Sequence, residues 1–113
     1  MFVVNNYDLI GKASKADHMF YYERDFSTNT VTQKYKWSRQ GISHQITPLR
    51  HMTEDNLKEI FEAAKNKRIV NTYTRKLEDS FFKQLLINNE IKSILVLPLY
   101  INDIFTGFIG FDD

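Results

Sequence analysis

The 113-residue sequence contains no cysteine, only 2 proline and 4 glycine residues, and almost no excess charge of either sign. Without cysteine there is no disulfide, no thiolate nucleophile and no thiolate metal ligand, and the composition suits a reducing compartment. The 15 basic and 14 acidic residues give a formal net charge of +1, which produces no strong field for attracting nucleic acid or an anionic membrane surface. We therefore expect no nucleic-acid partner.

Long apolar runs are also missing. No stretch approaches the ~20 residues that a membrane-spanning helix needs, so we expect no direct membrane insertion. The first residues, MFVVNNYDLIGKASKAD, have no basic segment before the apolar ones and no small-residue cleavage site, so we do not expect a signal peptide. The expected location is the cytoplasm, although a parent protein could be membrane-anchored.

Aromatic and aliphatic side chains are plentiful. The sequence has 9 Phe and 6 Tyr, and 42% of its residues are hydrophobic, which argues against disorder. A chain of this length has room for one domain, which would bury roughly 65% of the surface that its unfolded form exposes. We expect a single domain over residues 1–113.

The spacing of apolar residues and turn formers predicts an ordered series of helices and strands. In chain order these are a short helix within 2–13, strands over 18–24 and 31–37, a short strand around Ile42 and Ile46, a helix after Thr53, an exposed strand in RIVNTY, a helix over 78–88, and strands over 91–101 and 104–111. Thr53 would cap the second helix, with Glu54 and Asp55 in its first turn.

The most informative stretch is IKSILVLPLYINDIFTGFIGFDD, residues 91–113. Its two apolar runs flank Asn102-Asp103, which is typical of a tight hairpin turn. Pro98 lacks an amide donor, so irregular pairing is expected there. Gly107 and Gly110 indicate a close approach of the backbone beneath neighbouring aromatic rings.

This order of elements predicts an α+β domain with an antiparallel sheet, one side of which the middle helices cover. The other side would stay uncovered, and Asp112 and Asp113 would suit the start of a following helix. We therefore expect a piece of a larger multidomain protein. We also expect a homodimer, because an exposed apolar sheet face favours association.

Four aromatic residues lie on the two N-terminal strands that are expected to pair: Phe20, Tyr22, Tyr35 and Trp37. Alternate positions of a strand share a face, so these side chains could line a pocket for a planar ligand, which the Tyr hydroxyls and the Trp N–H would orient. An aromatic core is the alternative, and it is the commoner arrangement of such residues.

In these segments the chain resembles the GAF domain family of signalling modules. The closing hairpin matches best, with a Leu/Val-rich strand containing Pro, a polar two-residue turn and then FTGFIGFD. KASKADHMFYYE is similar to the end of the first helix and the first strand of the family, QKYKWS to its second strand, and NKRIV to the segment before the last helix. The pattern differs at both ends, where the first helix is short and the last is missing.

The resemblance implies a GAF-like (profilin-like) fold, an antiparallel β-sheet flanked by helices. Family members occur in histidine kinases, in cyclic-dinucleotide cyclases (diguanylate cyclases) and phosphodiesterases, in transcription regulators and in photoreceptors. They dimerise through terminal helices and bind small ligands between the sheet and the middle helices. The candidate ligand-binding residues are then Phe20, Tyr22, Tyr35, Trp37, Phe82 and Leu95.

Several activities of the family need residues that this chain lacks. Bilin attachment and reduction of free methionine sulfoxide both require cysteine, and the Asn-Lys-Phe-Asp-Glu signature of cyclic-nucleotide-binding relatives is missing. The three histidines, His18, His44 and His51, do not form a ligand pair with each other or with a carboxylate, so we interpret them as surface or loop residues. We expect no metal, no cofactor and no catalytic residues.

Two functions from different classes remain open. The first is a sensory module of a bacterial-type signal-transduction protein, which binds an unknown small molecule and passes its state through terminal helices to an output domain in cis. The second is a dimerisation or scaffold domain whose pocket is filled with side chains. An exposed aromatic pocket with convergent polar groups would favour the first, and a solid core would favour the second.

Overall fold

The computed structural model describes residues 15–41 and 49–113. The elements in these ranges are β1 (His18–Asp25), β2 (Thr30–Ser38), α1 (Lys58–Lys65), β3 (Val70–Tyr73), a short 3₁₀ turn (Thr74–Lys76), α2 (Phe81–Asn88), β4 (Ser93–Ile101) and β5 (Ile104–Asp112). The predicted helix in residues 2–13 and the predicted strand around Ile42 and Ile46 lie outside the described residues.

The five strands form one antiparallel sheet in the order β2-β1-β5-β4-β3. The predicted fold class, an antiparallel sheet packed against helices, is confirmed. The short strand predicted from RIVNTY is the edge strand β3, and β4 lies between two neighbours, as its continuous apolar run predicts.

The β4–β5 hairpin forms at the predicted turn. Asn102 and Asp103 both have positive φ, 51° and 65°, which is the conformation of a two-residue type I′ turn. Pro98, in contrast, pairs in register with Phe108, so the irregularity predicted at Pro98 is not found there. The ladder from β4 to β3 ends at Val96, so no amide donor is needed from Pro98 on that side.

The irregularity lies instead between Leu99 and Tyr100, where the register with β5 shifts by one residue. Such a bulge reverses the alternation of side chains along the strand. Phe105 and Phe108 therefore both pack into the core beneath the helices, although strict alternation would send them to opposite faces.

A second bulge interrupts the pairing of β1 with β2. Tyr21 pairs with Tyr35, whereas the next residue, Tyr22, pairs with Gln33, so Lys34 is the extra residue. Because of this register, the side chain of Tyr35 lies on the same face as Tyr21, opposite to that of Tyr22.

Both helices begin later than predicted. Thr53 does form capping bonds, since its hydroxyl accepts from the Asn56 amide at 3.2 Å, but residues 54–57 form a turn and α1 begins at Lys58. In α2 the cap is Ser80, whose hydroxyl accepts from the Lys83 amide at 3.1 Å. The predicted start at residue 78 is therefore three residues early.

The two faces of the sheet differ in their surroundings. The covered face, which packs against α1 and α2, carries Phe20, Tyr22, Ile94, Val96 and Phe108. The far face carries the alternate residues of the same strands, among them Met19, Tyr21, Tyr35, Trp37 and Leu95. The main hydrophobic core lies between the covered face and the helices.

Candidate ligand-binding cavity

An apolar cavity with an unfilled volume of about 50 Å³ lies between the covered face and the helices. The described residues that line it are Phe20, Tyr22, Gln33, Leu49, Leu57, Ile60, Phe82, Leu85, Leu86, Asn89, Ile91, Ile94, Val96, Phe108 and Phe111. A cavity of ~10–15 Å³ is enough for one water molecule, so this space exceeds an ordinary packing defect.

Stacked aromatic rings form the floor of the cavity. The Tyr22 and Phe108 rings stack with centroids 4.7 Å apart and an interplanar angle of 10°, and the Phe20 ring meets Tyr22 edge-on at 6.0 Å. Such geometries are the favoured ones for aromatic pairs and hold the rings in fixed orientations.

Two glycines of β5 allow this arrangement. A Cβ on Gly110 would collide with the Phe20 ring, whose Cδ2 would be 2.9 Å away. A Cβ on Gly107 would collide with the backbone oxygen of Tyr22. The predicted close approach of the backbone is therefore confirmed, with an aromatic ring over Gly110 and the β1 backbone against Gly107.

The helices supply the opposite wall. Leu57 and Ile60 face the cavity from the start of α1, and Phe82 and Leu86 face it from α2 at the i, i+4 spacing that puts two side chains on one helical face. The two helices are tied together at their N-terminal parts, because the Ser80 hydroxyl donates to Glu59 Oε2 at 2.6 Å.

Few polar groups reach the cavity. The Tyr22 hydroxyl donates to Gln33 Oε1 over 3.4 Å, a long hydrogen bond that a better acceptor could replace. Burial raises the pKa of Tyr22 far above its ordinary value, with a smaller opposing effect from a backbone bond at Leu49, so the phenol stays protonated. The Asn89 amide donates to the Leu85 carbonyl at 2.8 Å. None of the described lining residues is ionisable near neutral pH.

The structure separates the six candidate ligand-binding residues. Phe20, Tyr22 and Phe82 line the cavity together. The other three lie on the far face, where Tyr35 is 54% and Trp37 45% exposed and Leu95 is fully buried. The expectation that the four aromatic residues of β1 and β2 share one face is wrong, because the bulge at Lys34 sets the pairing one residue away from that register.

Sequence reasoning missed several lining residues. Gln33 pairs with Tyr22 on the turn side of the bulge, so it keeps the face of Tyr22, whereas Tyr35 and Trp37 beyond the bulge change face. Phe108 belongs to the closing hairpin, and the alternation of residues in β5 does not by itself indicate which face of the sheet its side chain occupies. Leu57 and Ile60 have the i, i+3 spacing of a buried helical face, which is the sequence signal that indicates these two lining residues.

A buried, hydrogen-bonded pair of titratable residues lies at one end of the covered face. His18 Nδ1 and Asp112 Oδ1 are 2.7 Å apart, and the two residues are 3% and 2% exposed. The interpretation of His18 as a surface or loop residue is therefore wrong. Burial raises the pKa of Asp112, and the hydrogen bond and charge of His18 oppose that effect.

The structure offers little for a metal ion. Within residues 15–41 and 49–113, no group of three or more His, Cys, Asp or Glu side chains could hold one. Among the helices in those ranges, none has the length and apolar content to cross a membrane.

Comparison with solved structures connects this fold to GAF domains. The GAF domain of a two-component sensor histidine kinase from Bacillus halodurans superposes with a TM-score of 0.62 at 18% identity, covering 95% of this chain and 72% of that one. The PixJ GAF domain of Thermosynechococcus elongatus, in its blue-light-absorbing form, gives 0.68 at 16% identity, covering 98% and 74%. A GAF/HD domain protein from Geobacter sulfurreducens gives 0.66 at 11% identity, covering 94% and 68%. The chain therefore has the GAF fold.

Comparison with known sequences gives one further relative. The methanogenesis regulatory histidine kinase FilI of Methanothrix harundinacea is 27% identical over 116 aligned residues, which cover 98% of this chain. The chain spans only 13% of the length of that kinase. No protein-family model matches the sequence.

Proposed function

We propose that this chain, which has the fold of GAF domains, is the sensory module of a signal-transduction protein and binds a small molecule in the cavity beneath α1 and α2. The observation that carries the proposal is the cavity itself. A domain serving only as a scaffold would gain stability by filling this space, because unfilled core volume costs roughly 24 cal/mol per Å³.

A bound molecule would act by changing how the helices sit on the sheet. Phe82 and Leu86 of α2 face the cavity, and the Ser80–Glu59 hydrogen bond joins α2 to α1. A ligand that binds one arrangement of the helices better than another shifts the population between them by its difference in affinity. Segments attached to the domain would pass this shift to an output domain in cis.

The output that the relatives favour is a histidine kinase. One GAF domain with this fold comes from a sensor histidine kinase, and FilI is a regulatory histidine kinase. The chain itself then has no catalytic role, and the proposed location is the cytoplasm. A cyclic-dinucleotide cyclase or phosphodiesterase as the output has no comparable support.

Self-association is a second candidate function, supported by the far face. Tyr35 and Trp37 lie on the same side of β2 and expose 54% and 45% of their surface, so they form an apolar patch that a partner could cover. We propose a second copy of the chain as that partner. A Trp37→Glu variant should be monomeric in sedimentation velocity at concentrations where the unaltered chain is a dimer, and a monomeric unaltered chain would contradict this proposal.

Native mass spectrometry of the purified chain tests ligand binding. We expect a mass excess from a retained small molecule, and Leu86→Phe should abolish it by filling the cavity. The matched control is Ile87→Phe, because Ile87 is the next residue of α2 but is 49% exposed. A chain with no mass excess in any expression host, or an excess that survives Leu86→Phe, would contradict the proposal.

A further inference from the structure

The charged groups of the covered face are confined to its two ends. At one end Arg24 donates to the Phe105 carbonyl at 3.0 Å and to Asn29 Oδ1 at 2.7 Å. At the other end His18 pairs with Asp112. Arg24, His18 and Asp112 do not line the cavity, and neither does Glu59 of α1, although Glu59 Oε1 and Asp112 Oδ2 are buried without a hydrogen-bond partner among the described residues.

A charged ligand would therefore lose its hydration without gaining a counter-charge from the described lining. Burying an ion without a partner is strongly unfavourable, and a buried ion needs both a counter-charge and hydrogen bonds. The lining instead offers aliphatic side chains and the faces and edges of Phe20, Tyr22 and Phe108. These surfaces favour an apolar molecule.

The volume of the cavity limits the size of the ligand. An apolar cavity of ~150 Å³ accepts one benzene molecule, and the space here is about 50 Å³. A single ring would fit only if a side chain such as Phe82 moved, and a molecule with several rings would require the helices to separate from the sheet.

One hydrogen-bonding position remains. The Tyr22 hydroxyl lies at the polar side of the cavity, and its bond to Gln33 is long at 3.4 Å. A ligand hydroxyl or carbonyl could accept from this phenol while the side-chain amide of Gln33 reorients towards it. The site thus provides for one or two ligand hydrogen bonds in an otherwise apolar space.

The geometry points to a ligand that is uncharged, mostly apolar and no larger than one aromatic ring, held by a single polar group at Tyr22 and Gln33. This inference rests on the proposed function, since it assigns the ligand class for the same cavity. The described lining residues offer no counter-charge to an anion such as a nucleotide or a linear tetrapyrrole.

Methyl NMR with matched one-ring probes tests the inference. Toluene, phenol, benzoate and benzylammonium would be titrated at pH 7 while the resonances of Ile60, Ile94 and Val96 are followed. We expect toluene and phenol to shift these methyls, and the Kd values of benzoate and benzylammonium to be at least about tenfold higher, because each must bury an unpaired charge. The series is repeated with Phe82→Leu, which enlarges the cavity without changing its charge, so that size cannot mask the comparison.

The Tyr22→Phe variant tests the polar position separately. It should raise the Kd of phenol about 3- to 10-fold, the usual effect of one hydrogen bond, and leave that of toluene within about twofold. Tyr35→Phe is the matched control, because Tyr35 lies on the far face, and it should change neither value.

The outcomes separate the two proposals. Benzoate or benzylammonium binding at these methyls as tightly as phenol would overturn the inferred ligand class and leave small-molecule binding intact. If no probe shifts the methyls, even in Phe82→Leu, the cavity is closed to ligands and the proposed function fails together with the inference. An equal effect of Tyr22→Phe on toluene and phenol would overturn the assignment of the polar position.

Discussion

The two faces of the sheet carry similar aromatic residues, which differ sharply in exposure. On the covered face Tyr22 and Phe108 are 4% and 2% exposed and line a cavity, whereas on the far face Tyr35 and Trp37 are 54% and 45% exposed. All four belong to neighbouring strands of one sheet. Aromatic content therefore does not identify the candidate site. The pairing register identifies it, because the register decides on which face of the sheet each side chain lies.

The largest expected difference between the faces is in stability. Phe108→Ala should lower the free energy of unfolding by about 3–5 kcal/mol, because it removes a buried ring and leaves a larger void. Trp37→Ala, on the far face, should cost less than about 1 kcal/mol. Urea unfolding followed by circular dichroism measures both, and equal costs would contradict the assignment of the two faces.

A smaller effect on stability is expected at Gly110, which lies directly against the Phe20 ring. Gly110→Ala should destabilise the chain by about 1–3 kcal/mol, because the added methyl group forces the ring out of its place. Combining it with Phe20→Leu should recover part of that loss, since the shorter side chain leaves room for the methyl group. Strictly additive costs in this double-mutant cycle would show that the two residues do not meet.

The smallest effect concerns pH and the buried end of the covered face. Burial raises the pKa of Asp112 above 3.8, so the folded chain holds the proton more tightly than the unfolded chain does. This contribution to stability is complete below the unfolded pKa and is lost as the pH rises through the folded pKa.

The comparison variant for this effect is Asp112→Asn, because the asparagine side chain does not titrate. The free energy of unfolding of the unaltered chain, minus that of Asp112→Asn, should fall as the pH rises above the ordinary pKa of aspartate, ~3.9. The comparison is made below the ordinary pKa of histidine, ~6.5. A difference that rises over this range would mean that the pKa of Asp112 is lowered in the folded state.

The parts of the fold that could be predicted depend on local signals. Asn102-Asp103 specifies a type I′ turn through residues that tolerate positive φ, and this turn fixes the pairing of β4 with β5. The i, i+3, i+4 spacing of Leu57, Ile60 and Phe61 is likewise a local signal, and all three side chains are buried. In such elements neighbouring residues contain the information that decides the structure.

Features that depend on distant contacts could not be predicted. The bulge at Lys34 has no local sequence signal, and it places Tyr35 and Trp37 on the face opposite to that of Tyr22. His18 and Asp112 are 94 positions apart, so their pairing follows only from β1 lying beside β5. Phe20, Tyr22 and Phe82 line one cavity because they lie on the faces that their own strand or helix periodicity allows.

The most direct measurement is a crystal structure of this chain under xenon pressure, because xenon enters apolar cavities that stay dry. We expect a xenon atom between the Tyr22–Phe108 stack and Phe82, and we do not require one on the far face. A cavity that takes up no xenon because side chains fill it, or xenon bound only beside Tyr35 and Trp37, would contradict the claim that the covered face holds the ligand site.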